Sequence, residues 1–329
     1  MASVSVEGLT SSNLRYIQIS VPEKIALLFN PGARQGRAAK SLARLERAFR
    51  LRGVPYDLFV SQDEGHLLRL AAELPERYPK MVAAGGDTTY FLIVNEWLRR
   101  GISAPLAVIG LGSCNDVARE LGSTDLKEAV GRIRDGTVRS WDAGRVETDG
   151  CVLGHFLGQV QAGVGVLLNH FVEDRKARRS FLGRHQTLAG AVGLVRSYSS
   201  SDLPLRLTIR ADGEEFRGNC LLALIGNIGF TAAGFRAIPQ ARPDDGALDL
   251  LAIRPCSLPR FIRLFALARS GRHIGKPAVE TLTSPVFEIV SQTPIEVQAD
   301  GQTLSAPDGR RAFTRLTVKA LPGALRMIV

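Results

Sequence analysis

Three short stretches combine glycines with acidic or amide side chains: Asn30-Pro31-Gly32, Gly85-Gly86-Asp87-Thr88-Thr89 and Gly112-Ser113-Cys114-Asn115-Asp116. Each follows an apolar run of strand length. Glycines let a backbone approach a ligand closely, and a helix opening directly after them offers unpaired N–H groups and a partial positive charge. A strand, a glycine turn and a helix in that order can therefore hold phosphate. Met81 to Leu98 has this order, with strand-like Met81-Val82-Ala83-Ala84 before the glycines and a helix-periodic apolar run after them. Asp87 at the turn could hold ribose, a metal or a neighbouring loop. Taken alone, the same residues also make an ordinary strand-to-helix turn capped by Asp or Thr. Two later blocks, Asp244-Asp245-Gly246 and Asp300-Gly301, add carboxylates that could bind a hard cation or accept a proton. Asp-Gly is equally a common hairpin turn.

The elements that would position these residues change character along the chain. Lys24 to Asn30, Tyr56 to Val60, Lys80 to Ala84 and Pro105 to Gly110 read as four strands. The continuous apolar runs among them suit a parallel sheet buried on both faces. Helix-periodic segments follow each one, and the first closes on Gly53. This predicts a doubly wound, Rossmann-like parallel sheet over residues 21–142, whose ligands lie beyond the carboxyl ends of the strands. All three glycine-bearing loops fall at that edge. From Asp142 onward strands shorten and Asp-Gly turns recur at Asp149, Asp212, Asp300 and Asp308. An antiparallel β-sandwich or partly closed barrel is expected over 143–315, with helices inserted at Phe171 to Ser199 and Pro259 to Ser270. Residues 316–329 are free to pack back on the first domain, and 1–20 read as a flexible leader.

A length of 329 residues suits two domains of this kind. The net charge of +10 favours anionic partners such as nucleotides, nucleic acid or an anionic membrane. Nucleic acid is set aside, because aromatics are only 6% and no stacking or base-reading pattern accompanies the charge. Cys114, Cys151, Cys220 and Cys256 are far apart in sequence, which excludes zinc or CxxC spacing and suggests reduced thiols in a cytoplasmic protein. The first twenty residues lack the basic start and apolar core of a secretory signal, and no apolar run is long enough to span a bilayer. Two basic segments interleave with apolar residues. One is Arg175, Lys176, Arg178, Arg179 and Arg184; the other is Arg260, Arg263, Arg269, Arg272 and Lys276. Such segments either lie on an anionic bilayer, giving peripheral membrane association, or pack on the β-domain with their arginines solvated.

The order of these motifs resembles the diacylglycerol kinase catalytic-domain family, which includes bacterial lipid kinases, sphingosine kinases and ceramide kinases. Its members open with a strand ending in Asn-Pro. They carry Gly-Gly-Asp-Gly-Thr and Leu-Gly-Thr-Gly-Asn-Asp-Phe-Ala loops, then Asp-Asp-Gly-x-Leu-Asp and a late Asp-Gly-Glu. Here these stand as Asn30-Pro31, Gly85 to Thr89, Leu111 to Ala118, Asp244 to Asp249 and Asp300-Gly301-Gln302. The resemblance implies an ATP-dependent lipid kinase that uses Mg2+. ATP would lie in a cleft lined by Asn30, Pro31, Ser61, Gly85, Gly86, Asp87, Thr88, Thr89, Gly112, Ser113, Asn115 and Asp116. Asp300 would be the general base for a lipid hydroxyl. Asp245 with the backbone carbonyls of Arg242 and Ala247 would hold a structural magnesium. The implied acceptor is diacylglycerol, a sphingoid base, ceramide or a related lipid alcohol at an anionic membrane surface, and a homodimer is compatible with the pattern.

The chain also departs from the family. Arg34, Thr88 and Cys114 stand where glycines are usual, and Phe91 where asparagine is usual. Side chains there are expected to restrict positive φ and to thicken the phosphate loops, with strain at β-branched Thr88. Either the loops are reshaped around ATP, with Arg34 and Thr88 contacting phosphate, or the protein is a pseudokinase that binds lipid or a protein. An NAD kinase-like small-molecule kinase would also use a Gly-Gly-Asp loop. The two late acidic blocks and Asn115-Asp116 favour the lipid branch.

Overall fold

The computed structural model describes residues 24–33, 36–122, 125–173 and 186–329. The leader, Arg34 and the basic run from Arg175 to Arg184 lie outside the described residues.

The first lobe alternates strand and helix: β1 (Ile25–Phe29), α1 (Leu42–Arg52), β2 (Tyr56–Val60), α2 (Glu64–Arg77), β3 (Met81–Gly85), α3 (Asp87–Arg100), β4 (Pro105–Gly110), α4 (Asp116–Glu120) and α5 (Leu126–Asp135). The strands pair in parallel in the order β2-β1-β3-β4. Successive strand residues point to opposite faces. Ala26, Leu28, Met81, Ala83, Leu106 and Val108 therefore pack with Leu67, Ala71 and Leu74 of α2 and Ile93, Val94 and Trp97 of α3. Ile25, Leu27, Phe29, Val82, Ala84, Ala107 and Ile109 pack with Leu45 and Phe49 of α1 and with Val130 and Ile133 of α5. Helices on both faces explain why β1 and β3 are apolar throughout. Trp97 bridges α2 and α3 by donating Nε1–H to the Ala71 carbonyl at 2.7 Å, so the largest buried ring leaves no polar atom unpaired.

The second lobe is antiparallel: β5 (Val138–Thr148), β6 (Cys151–Phe156), β7 (Gln159–Gly163), α6 (Val164–Glu173), α7 (Gln186–Tyr198), β8 (Leu205–Ala211), β9 (Glu214–Cys220), β10 (Leu222–Gly226), β11 (Leu248–Ile253), α8 (Leu258–Ala268), β12 (Val279–Ser284), β13 (Val286–Ala299), β14 (Gln302–Thr303) and β15 (Ala312–Ile328). Three Asp-Gly pairs make the tight hairpins β5–β6, β8–β9 and β13–β14. Both turn residues have positive φ in each: Asp149 49° and Gly150 79°, Asp212 43° and Gly213 84°, Asp300 46° and Gly301 80°. This is the twist-matched geometry that Asp-Gly favours. Along β13, Ile295, Val297 and Ala299 enter the sandwich core, which puts Glu296 and Gln298 on the opposite face. β15 pairs antiparallel with β13 and β5, and its end runs parallel to β4 through Arg326 and Met327, so one sheet passes through both lobes. The inserted helix expected from Phe171 begins earlier, at Val164.

Candidate active site

Helix α3 opens directly after Gly86, whose φ of −117° is ordinary extended backbone. Its two glycines are required by close approach. A Cβ on Gly85 would lie 2.4 Å from Thr89 Oγ1, and one on Gly86 2.9 Å from the Gly112 Cα. A Cβ on Gly112 would lie 2.6 Å from the Gly86 Cα, so the two loops touch backbone to backbone. Asp87 holds them there: its carboxylate accepts from the Asn115 amide at 2.7 Å and the Val117 amide at 3.3 Å, at the start of α4. Of the three roles open to Asp87, the structure shows the grip on the neighbouring loop. Burial raises its carboxyl above the usual range, opposed by these amides. Buried Thr89 accepts from Asn30 Nδ2 at 3.0 Å and from the Gly86 amide at 3.3 Å, which ties the end of β1 to the same turn.

The strain expected from the lost glycines is absent at two of the three positions. Thr88 is helical in the first turn of α3, and neither Thr88 nor Cys114 has positive φ. The left-handed residue of the second loop is Asn115, at φ 56°. Its amide side chain mimics a turn, accepting from the Gly112 amide at 2.7 Å and donating to the Gly112 carbonyl at 3.0 Å. Burial pushes the Cys114 thiol up to about 12, which keeps it protonated near neutral pH. Asp116 reaches the second lobe, accepting from the Gly234 amide at 3.1 Å and the Ala233 amide at 3.3 Å; burial, then the charge of Asp87, raises it to about 6. Ser61 is buried, and its hydroxyl donates to the Phe29 carbonyl at 3.4 Å. It braces the strand end instead of opening into the cleft. Pro31 and Ser113 lie on the same loops, and Ser113 is exposed.

Asp300 approaches from the second lobe at the tip of the β13–β14 hairpin. Its carboxylate accepts from the amides of Leu157, Gly158 and Gln159 at 2.8, 3.0 and 2.9 Å. Gly158 must be glycine, since a Cβ there would lie 2.7 Å from Asp300 Oδ1. The residue as a whole is half-buried while its carboxylate is enclosed, and that burial raises it to about 7 despite three amides favouring the charged form. The charge of Asp87 adds to the rise. Gln302 Nε2 donates to Thr88 Oγ1 at 3.2 Å across the gap between the lobes.

Two buried residues that sequence reasoning missed support this arrangement. Asn227 donates Nδ2–H to the carbonyls of Asp142 and Leu157 at 2.9 and 3.1 Å, and its own amide donates to the Gly158 carbonyl at 2.8 Å. It therefore fixes the turn that cradles Asp300. Asp142 accepts from the Gly246 and Gly323 amides, both at 2.7 Å, and so anchors the Asp-Asp-Gly block to β15. Nearby, Asp245 is exposed, and its Oδ1 accepts from the Ala247 amide at 3.1 Å, which closes a turn. One carboxylate with the Arg242 and Ala247 carbonyls is an all-oxygen donor set that suits a hard cation. Among the described residues no group of three or more His, Cys, Asp or Glu side chains is arranged to hold a metal.

Residues 24–146 match the diacylglycerol kinase catalytic domain, and 158–329 match the YegS C-terminal NAD kinase beta sandwich-like domain. A Mycobacterium tuberculosis protein named diacylglycerol kinase is 28% identical over 314 residues, covering 93% of this chain and 94% of the relative. A Bacillus subtilis protein of the same name is 24% identical over 284 residues, covering 85% and 90%. A crystal structure described as a putative diacylglycerol kinase from Bacillus anthracis superposes with TM-score 0.70 at 21% identity, over 93% of this chain and 96% of that one. That likeness shows a shared fold.

Proposed function

Because the chain belongs to the lipid kinase family that joins a diacylglycerol kinase catalytic domain to a YegS-type sandwich, we propose that it transfers the γ-phosphoryl group of ATP to a hydroxyl of a lipid alcohol. Candidates for the acceptor are diacylglycerol, a sphingoid base, ceramide or a related lipid. The observation that carries this reading is the hairpin bearing Asp300, which meets the Gly85 to Thr89 turn through the hydrogen bond from Gln302 Nε2 to Thr88 Oγ1 at 3.2 Å. With a pKa near working pH, Asp300 is suited to accept the acceptor's proton as the oxygen attacks. The first turn of α3, where helix geometry leaves N–H groups without helical partners, would supply donors to phosphate. Asp87 accepts from amides of the second glycine loop and Asp116 from an amide of the second lobe, which holds the two loops and the two lobes together. Magnesium brought with the nucleotide would offset phosphate charge, and Asp245 with the Arg242 and Ala247 carbonyls would hold a second, structural ion.

The pseudokinase alternative rests on lost glycines, whose replacements would strain and thicken the loops; neither Thr88 nor Cys114 has positive φ, which speaks against the strain at both positions. The membrane contact we propose rests on α8. Its Phe261, Leu264 and Ala268 are buried while Arg260, Ile262, Arg263 and Arg269 are exposed, and the chain has no acidic residue between Asp249 and Glu280. Phe265 of α8 packs on Phe235 with ring centroids 4.6 Å apart, beside the turn that Asp116 grips, so this basic face adjoins the cleft.

The test is incubation of the pure protein with labelled ATP, magnesium and a mixed lipid extract. Label is expected in an organic-phase product, and lost with Asp300→Ala. Label confined to an aqueous metabolite would point to a small-molecule kinase, and no ATP binding at all to a pseudokinase.

A further inference from the structure

Thr88, Phe91 and Asn95 share one face of α3, because steps of three and four residues follow its turn. All three meet the second lobe. Thr88 Oγ1 accepts from Gln302 Nε2. Phe91 packs against the sandwich core. Asn95 Oδ1 accepts from the His155 amide at 2.8 Å, and its Nδ2 donates to the His155 carbonyl at 3.0 Å. Thr88, Phe91 and Gln302 are positions where the resembled motifs carry glycine, asparagine and glutamate. Three positions that differ from the resembled motifs thus lie together at one interface.

These contacts close a ring. From α3, Asn95 grips His155 at the end of β6. The turn after β6 supplies the three amides that hold Asp300, and Asp300 leads through Gly301 to Gln302. Gln302 returns to Thr88 in the first turn of α3. A glycine at 88 would leave the ring open between the nucleotide turn and the hairpin. A glutamate at 302 would add a carboxylate where Asp87 already bears on Asp300, whereas the amide of Gln302 donates without adding charge.

We propose that Thr88 and Gln302 are a matched pair of positioning residues that fix the hairpin carrying Asp300 against the helix turn of the nucleotide loop. Its kinetic consequence rests on the phosphotransfer reading above; the contact itself does not.

The experiment compares wild type with Thr88→Val, Gln302→Leu, the double variant and Thr88→Ser. Backbone hydrogen exchange is read across residues 297–304, with β1 and β3 as folding controls. Each single change is expected to speed hairpin exchange about fivefold, the equivalent of about 1 kcal/mol for one hydrogen bond. The double variant should be no faster than either single, and Thr88→Ser should recover most of the protection. In turnover, kcat should fall about fivefold in each single variant and no further in the double, with KM for ATP held within about twofold. Additive effects in the double variant, or unchanged hairpin exchange in the singles, would overturn the pairing. If wild type shows no phosphotransfer, the kinase reading fails by itself. The exchange data then still decide: non-additive singles support the pair, and additive or silent ones reject it.

Discussion

The raised carboxyl of Asp300 makes a quantitative claim about pH. An unperturbed aspartate, near 3.9, would be fully ionised from pH 5 upward and would give a flat profile. Burial raises Asp300 to about 7, so the base form is present above that value and is lost as pH falls through it. Roughly nine-tenths is ionised at pH 8 and about 1% at pH 5, a fall of about 90-fold in kcat/KM, which reports the free enzyme. Asp116, raised to about 6, adds a second loss below that pH if its grip on Ala233 and Gly234 needs the carboxylate. The fall could then approach about 1,000-fold, with the slope steepening from one toward two. Initial rates with lipid acceptor in mixed micelles between pH 5 and 9 would measure this. The terminal phosphate of the nucleotide titrates near 6 and contributes its own limb, so Asp300→Glu is the control. A limb set by this carboxyl moves when its reach changes, and a limb set by the nucleotide stays. A wild-type profile flat within about twofold from pH 5.5 to 8, or a midpoint unmoved in Asp300→Glu, would refute the assignment of Asp300 as base.

Two further outcomes are expected. Gly86→Ala and Gly112→Ala each place a methyl inside the contact between the two loops; at about 1–3 kcal/mol for overpacking, ATP affinity should drop roughly 5- to 150-fold by calorimetry, and undiminished affinity would show that the loops do not meet around the nucleotide. Arg260→Ala with Arg263→Ala should weaken co-sedimentation with anionic vesicles by about 2 kcal/mol, roughly thirtyfold, at about 1 kcal/mol per charge, and binding insensitive to both changes and to salt would remove α8 as the membrane face.

Where an element is specified by burial on both faces, the sequence announces it: β1 and β3 are buried at every position, and the apolar runs of β1, β3 and β4 place the glycine loops at their carboxyl ends. Val164 to His170 is less legible, because a short apolar run reads as strand or helix alike, and α6 therefore starts earlier than periodicity suggested. The glycines were legible as a pattern but not in purpose. Sequence points to positive φ, while Gly86 and Gly112 are needed because two distant loops touch there. Asp142 and Asn227 left only a faint signal, a polar residue inside one strand and another just after an apolar one. Such a residue, buried, must find partners, but nothing local says that Asp142 finds the amides of Gly246 and Gly323. Thr88 and Gln302 show the same limit from the other side. Each taken alone weakens a motif, and only the fold brings the hydroxyl of one to the amide of the other. A departure from a family pattern is therefore evidence of lost function only after its new neighbours are known. Here the new neighbour of Thr88 sits two residues from Asp300, the carboxylate proposed as the base.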